Sequence, residues 1–289
     1  MKLLRYLAAT GLTALALAAC ASGSISTPQA SATASTTIKH VVMIVEENHS
    51  ANLITSRSMP YLTSQVGVKF SNYKNIVHPS LPNYFALTAG NTLVSKDCGT
   101  STSGCMQSVN NIYHQADSLG GWGQWSESMK TNCQPSNSKP YVVHHAPAPF
   151  FNDLTSTDCK VNDVPLVKTA VPPIGSKSFV FITPNLNDDA HDGTLNAADN
   201  WLKVVIPQIK SDPAYRDGST LIEVTFDESG GGGNSLIYTK LINPALGTKT
   251  ITTGVNHYSL LRVNEELLGL PLLGKAQTAV DFRSQLGGL

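Results

Sequence analysis

Four stretches of this chain concentrate hydroxyl, carboxylate and imidazole groups. Residues 78–90 read HPSLPNYFALTAG, which sets Ser80 between Pro79 and Pro82 at the start of an apolar run. Pro82 falls in a first turn, where its missing N–H costs nothing, and Gly90 stops the run, so the pattern predicts a helix over 81–89. Ser80 is then either a plain helix cap or a nucleophile beside free N–H groups that could cradle an anion. Residues 46–48 are Glu-Glu-Asn, residues 185–192 hold Asn185, Asp188, Asp189, His191 and Asp192, and residues 227–228 are Asp-Glu. Glu47, Asn48, Asp227 and Glu228 offer oxygen alone, which suits a hard divalent cation such as calcium, magnesium or manganese. His191 or His257 would pull the preference toward zinc or iron. Such a cation would stabilise a Ser80 alkoxide and clamp a phosphoryl oxygen, and a histidine within reach could protonate a leaving oxygen. That combination is phosphoryl transfer to serine followed by hydrolysis with water.

These groups need elements that bring them to one place. Val41–Val45 is a continuous apolar run, as expected of a strand covered on both faces. Similar runs start at Ser178 and Ser219, and all three end in the polar stretches above. In open, mostly parallel α/β sheets, ligands bind beyond the carboxyl ends of the strands, so the three endings predict one convergent site. Residues 196–210 place Trp201, Val204, Val205 and Ile209 near one helical face, with Pro207 expected to kink or end the helix. Residues 257–268 carry Leu260, Leu261, Val263, Leu267 and Leu268 at amphipathic spacing. Residues 95–175 are rich in Gly, Ser, Pro and Asn and read as an insertion or lid. Gly230–Gly233 lacks the Lys-Ser/Thr of a phosphate loop and reads as a turn.

Bulk properties narrow the class. A chain of 289 residues can bury a sizeable α/β core. Twenty Lys+Arg balance 20 Asp+Glu, which leaves no basic field for nucleic acid. The N-terminus, MKLLRYLAATGLTALALAAC, has a positive start and an apolar stretch too short to span a bilayer comfortably. Its Leu17-Ala18-Ala19-Cys20 resembles a bacterial lipobox. This predicts a lipoprotein signal peptide over 1–20, lipidation of Cys20, a flexible tether over 21–36 and a catalytic domain over 37–289. The protein is then exported and held at the membrane by a lipid anchor. The alternative is an ordinary secretory peptide cut near Ala21, giving a periplasmic or secreted protein. Export favours disulfides among the remaining cysteines, and four of them allow three connectivities. Cys98–Cys105 closes a short loop and is preferred, with Cys133–Cys159 as the second bond.

In order, VVMIVEENHS, HPSLPNYFALTAG, PNLNDDAHDG, VTFDES and NHYSLLRVNEELLGLP resemble the bacterial and fungal phosphoesterase family of secreted acid phosphatases and phosphocholine-type phospholipases C. The resemblance covers roughly residues 38–272. It implies an alkaline-phosphatase-like fold, a three-layer α/β/α with a mostly parallel central sheet, and one divalent metal ion. It further implies that Glu47 and Asn48 are one pair of metal ligands, that Ser80 is the nucleophile and also touches the metal, and that Asp227 and Glu228 are the second pair. Glu228 stands where relatives carry a second aspartate. His145, in HHAPAPF, is similar to a phosphate-contacting histidine, although Ala146 replaces the usual asparagine. His191 resembles a phosphate contact or leaving-group acid. Asp189 and His257 are further candidates. The short chain favours a compact acid-phosphatase-like enzyme acting on small phosphate monoesters. Two alternatives are a phospholipase C-like phosphodiesterase and a non-catalytic exported binding lipoprotein, whose candidate residues would lie scattered. A serine hydrolase is disfavoured because no G-x-S-x-G elbow surrounds Ser80.

Overall fold

The apolar runs are strands, and they run side by side. The structure, a computed structural model, describes residues 37–231 and 235–289. Its strands are β1 (His40–Glu46), β2 (Val68–Phe70), β3 (Tyr73–Lys74), β4 (Trp122–Glu127), β5 (Asp163–Leu166), β6 (Phe179–Thr183), β7 (Thr220–Phe226), β8 (Thr239–Ile242), β9 (Lys249–Ile251) and β10 (Val255–Asn256). Eight of them form one sheet in the order β5-β4-β6-β1-β7-β8-β2-β9, while β10 and β3 pair separately. From β5 to β7 all neighbours are parallel. The exception is β8, antiparallel to both β7 and β2. The register sets Glu46 of β1 opposite Phe226 of β7, and Asp227 N–H donates to the Glu46 carbonyl at 2.9 Å. Glu47 and Asp227 therefore leave adjacent strands together.

The helices are α1 (Pro60–Ser64), α2 (Ser80–Ala89), α3 (Ile112–Ala116), α4 (Ser156–Asn162), α5 (Leu195–Ser211), α6 (Pro213–Arg216) and α7 (His257–Leu268). Helices α2, α3 and α7 pack as one group and α1, α5 and α6 as another, in keeping with the expected α/β/α layering. Beneath α2, Phe85 meets Phe150 and Phe151 edge-to-face at 5.6 and 5.5 Å, and Tyr113 meets Trp122 and Phe179 at 5.1 and 5.5 Å. Each such pair adds about 0.5–1.5 kcal/mol beyond its buried area.

Several expectations need correcting. Helix α5 runs through Pro207 to Ser211, and Val204 lies on its outer side, 38% exposed. The region 95–175, read as a disulfide-stapled insertion or lid, holds both disulfides and also supplies β4 and β5, two strands of the main sheet. Both expected disulfides are present, Cys98–Cys105 and Cys133–Cys159, with Cα separations of 6.4 and 5.3 Å. The signal peptide, Cys20 and the tether lie outside the described residues. Among the described residues, no helix is long and apolar enough to cross a membrane.

Candidate active site

Ser80 does not cap its helix. Pro79 is the N-cap residue, Ser80 is the first helical residue, and its Oγ–H donates instead to Glu47 Oε2 at 3.1 Å. Asn83 shapes the approach. Its Oδ1 accepts the N–H groups of Ile76 and Val77 at 3.0 and 3.2 Å, and its Nδ2 donates to the carbonyls of Val77 and Pro79. The expected cradle of free N–H groups is partly filled, because Leu81 N–H donates to Asp97 Oδ1 at 2.8 Å. One turn further along α2, on the face shared by residues i and i+4, Tyr84 O–H donates to Glu47 Oε1 at 2.6 Å. Both oxygens of Glu47 thus meet groups on the nucleophile's helix.

Asn48 follows with a left-handed backbone, φ 55°, a conformation that asparagine tolerates better than most residues. This turn aims its N–H at Asp227 Oδ1, 3.0 Å away. Asp227 Oδ2 is buried and, among the described residues, has no hydrogen-bond partner. From the other side comes His145, 2% exposed, with Nε2 at 3.4 Å from Glu47 Oε1 and Nδ1 at 3.5 Å from Asp189 Oδ2. Its ring stacks on Tyr84 with centroids 5.4 Å apart. Asp189 Oδ1 accepts the His191 N–H at 2.8 Å, and His191 Nδ1 pairs with Asp192 Oδ1 at 2.8 Å. Ligand atoms of Glu47, His145 and His191 lie within 4.8 Å of one another.

Two candidates point elsewhere. Glu228 turns its carboxylate to His78 Nδ1 at 3.0 Å and to Asn83 Nδ2 at 3.3 Å, so it braces the segment before Ser80. His257 is fully buried. Its Nε2 meets the Asp227 carbonyl at 2.6 Å and its Nδ1 meets the Tyr73 hydroxyl at 3.1 Å, so it touches the Asp227 backbone and not the carboxylates. Tyr84, Asn83, Asp97 and Tyr73 were not singled out from sequence. The i, i+4 spacing of Ser80 and Tyr84 was the available signal for Tyr84.

The electrostatics describe a set of acids short of positive charge. Burial, reinforced by the charges of Asp227 and Asp189, pushes the Glu47 carboxyl well above its ordinary range. Burial and then Glu228 push Asp227 up to about 7. Burial pushes Asp189 up to about 7, and burial with Asp97 pushes Glu228 to about 8. Burial lowers His145 to about 3 and His257 to about 4, so both rings are neutral at neutral pH. Converging buried carboxylates, an orphaned Asp227 oxygen and a hydroxyl form a donor set that fits a divalent cation. A second cluster, Cys133, Cys159 and Asp163, has its two sulfurs joined to each other.

The sequence profile of the Phosphoesterase family matches residues 62–252. The chain belongs to the phosphoesterase family. Membership makes it a phosphoric ester hydrolase. It is 28% identical over 283 residues to a phosphatidylinositol-3-phosphatase of Mycobacterium tuberculosis, covering 95% of this chain and 92% of that one. It is 29% identical over 229 residues to a phosphate-repressible acid phosphatase of Penicillium chrysogenum, covering 72% of this chain and 54% of that protein. This phosphoesterase thus spans just over half the length of that fungal relative. Among solved structures it is similar in fold to a protein in the alkaline phosphatase superfamily from Vibrio parahaemolyticus, with TM-score 0.60, 14% identity and coverage of 86% and 71%. It is also similar to a phosphonate monoester hydrolase from Silicibacter pomeroyi, with TM-score 0.55, 11% identity and coverage of 86% and 77%.

Proposed function

We propose that this phosphoesterase hydrolyses phosphate monoesters through a phosphoserine on Ser80, with a divalent cation held by oxygen atoms of Glu47, Ser80 and Asp227 and flanked by Asn48. The observation that carries this reading is the Ser80 Oγ–H donated to Glu47 Oε2 at 3.1 Å, beside the orphaned oxygen of Asp227. When bound, the cation would favour the Ser80 alkoxide and offset charge on a phosphoryl oxygen. Ser80 Oγ attacks phosphorus as the bond to the leaving oxygen breaks, and the hydroxyl proton has an acceptor already in contact with it. His145 reaches Glu47 Oε1 while Ser80 reaches Oε2, and His191, the more exposed of the two histidines, supplies the departing oxygen with its proton. Water then cleaves the phosphoserine, releasing phosphate and restoring the hydroxyl.

The test is release of p-nitrophenol from p-nitrophenyl phosphate by the wild type, by Ser80→Ala and by chelated protein. Loss of nearly all activity in the variant and on chelation is expected, and unchanged activity in Ser80→Ala rejects the mechanism. p-Nitrophenylphosphorylcholine tests the diester alternative. Phosphatidylinositol 3-phosphate belongs in the same panel because the relative of matching length is named for it. The Cys20 motif supports a lipid tether at the cell envelope, for which radiolabelled palmitate incorporation into wild type and Cys20→Ser is the direct check.

A further inference from the structure

Strands β2 and β8 break a pairing rule. Their antiparallel register sets Lys69 directly opposite Lys240, although like charges facing each other across a strand pair are destabilising. Lys69 is exposed, but Lys240 is 2% exposed. Among the described residues, no carboxylate pairs with either ammonium and no hydrogen bond engages them. Burial, and then the charge of Lys69, lowers the Lys240 pKa. A buried charge without a partner costs free energy, and local rules of this kind are broken chiefly at functional sites. Both lysines line a cavity of about 360 Å³, within the size range of small-molecule sites. Among the described residues, its wall contains no Asp or Glu and shares nothing with the candidate active site. The other polar groups fall into two sets. The Tyr238 and Thr248 hydroxyls have no partner among the described residues and are free to donate. The Thr63 and Ser64 hydroxyls already donate to the carbonyls of Met59 and Tyr61, both at 2.8 Å, and so present lone pairs. A third ammonium, Lys210, stands behind the wall at 2.7 Å from Gln65 Oε1.

We propose that this cavity binds a phosphate dianion, free or as the monoester of a small polyol, at a site separate from the catalytic one. Two ammoniums match a group whose second ionisation lies near pH 6 and which is doubly charged at neutral pH. Lys69 and Lys240 act as point charges on the phosphate oxygens, to which the Tyr238 and Thr248 hydroxyls also donate. The Thr63 and Ser64 oxygens accept hydroxyls of the organic part. The family's chemistry puts such dianions within reach, because the substrate carries one and the product is one. The bound anion supplies the counter-charge that the Lys69–Lys240 pair lacks and holds β2 against β8. This goes beyond the proposed function and depends on neither Ser80 nor the cation.

The experiment is a calorimetric titration with inorganic phosphate and, separately, with glycerol 3-phosphate. The full chain carrying Ser80→Ala is stripped with chelator and desalted, so that neither turnover nor cation-dependent binding at the catalytic site contributes. Binding is expected in this parent, and the tighter of the two probes tells the free anion from its ester. Adding Lys240→Met is expected to weaken binding about 10–100-fold, the worth of one hydrogen bond to a charged group. Without ligand, Lys240→Met should melt no lower than the parent, because an apolar side chain of similar length replaces an unpaired buried charge. Lys69→Glu, at an exposed position, hands Lys240 a counter-charge from the protein itself and should weaken binding as well, which covers the case in which Lys240→Met misfolds. In the otherwise wild-type enzyme, Lys240→Met should leave kcat on p-nitrophenyl phosphate unchanged. No binding of either probe to the parent overturns the site. Binding of undiminished affinity in folded Lys240→Met or in Lys69→Glu overturns it too.

Discussion

Replacing His257 with phenylalanine isolates what holds Asp227 in place. A carbonyl oxygen accepts, so His257 Nε2 must carry the proton in its 2.6 Å contact with the Asp227 carbonyl. In a neutral imidazole Nδ1 is then the acceptor, and Tyr73 O–H donates to it at 3.1 Å. Phenylalanine fills the ring's volume but leaves two buried groups unpaired, at about 1–3 kcal/mol each. The expected loss is about 2–6 kcal/mol, or roughly 5–20 °C in Tm for a domain of this size. The freed carbonyl also releases the backbone that sets Asp227 beside Glu47, so kcat on p-nitrophenyl phosphate and metal retention fall with it. Tyr73→Phe separates the two effects. It orphans only His257 Nδ1, costs about 1–3 kcal/mol, and keeps the carbonyl contact, so kcat stays near wild type. His257→Gln, whose amide can still donate to the carbonyl, recovers part of kcat. Circular dichroism melts alongside kcat and KM give all the quantities. The reasoning is refuted if His257→Phe matches the wild type in both melt and kcat, or if Tyr73→Phe loses as much kcat as His257→Phe.

Three further outcomes follow from the described contacts. Glu228→Gln keeps a side chain able to meet His78 and Asn83 and should retain bound metal in equilibrium dialysis, whereas Asp227→Asn should lose it. Burial pushes Asp163 up to about 8. Between the ordinary carboxylate range and pH 8 the unfolded chain therefore binds fewer protons than the folded one, and stability falls as pH rises, with a slope of up to about 1.4 kcal/mol per pH unit. Asp163→Asn should flatten that part of the Tm-against-pH curve. Removing Cys133–Cys159, which spans 26 residues, should cost about 3.5 kcal/mol on the loop-entropy relation, against about 2.4 kcal/mol for Cys98–Cys105, which spans 7. Urea titrations of the two double-serine variants measure both.

Much of the site was legible because parallel strands deliver their last residues to one edge. The apolar runs that became β1 and β7 end in Glu47 and Asp227, beside Ser80, while the run that became β6 leads to Asp189, which meets His145, and Pro82 and Gly90 mark the helix. What escaped was hidden by polar residues that satisfy one another inside the fold. Strand β4 (WGQWSE) is buried throughout yet shows no apolar run. Its Gln124 is paired with Tyr113, Ala148 N–H and Asp163, so a polar residue sits at a core position without penalty. Strand β5 carries Pro165, which demotes it in any pattern reading, but it lies at the sheet edge, where a missing N–H is tolerated. Glu228 is different: it follows β7 in a bend, where its carboxylate meets His78 and Asn83, and a sequence does not show which way a bend turns its side chains.

The Leu81 amide is satisfied by Asp97, the residue just before the Cys98–Cys105 bond. The nucleophile's helix is therefore not a portable part. Grafted into another α/β scaffold as HPSLPNYFALTAG alone, it would arrive with an open amide beside the serine, and a substrate phosphate or a foreign carboxylate would compete for it. The transferable unit is the helix together with the 97–105 loop, so a transplant or chimera keeps its nucleophile correctly seated only when its boundary falls beyond the second cysteine.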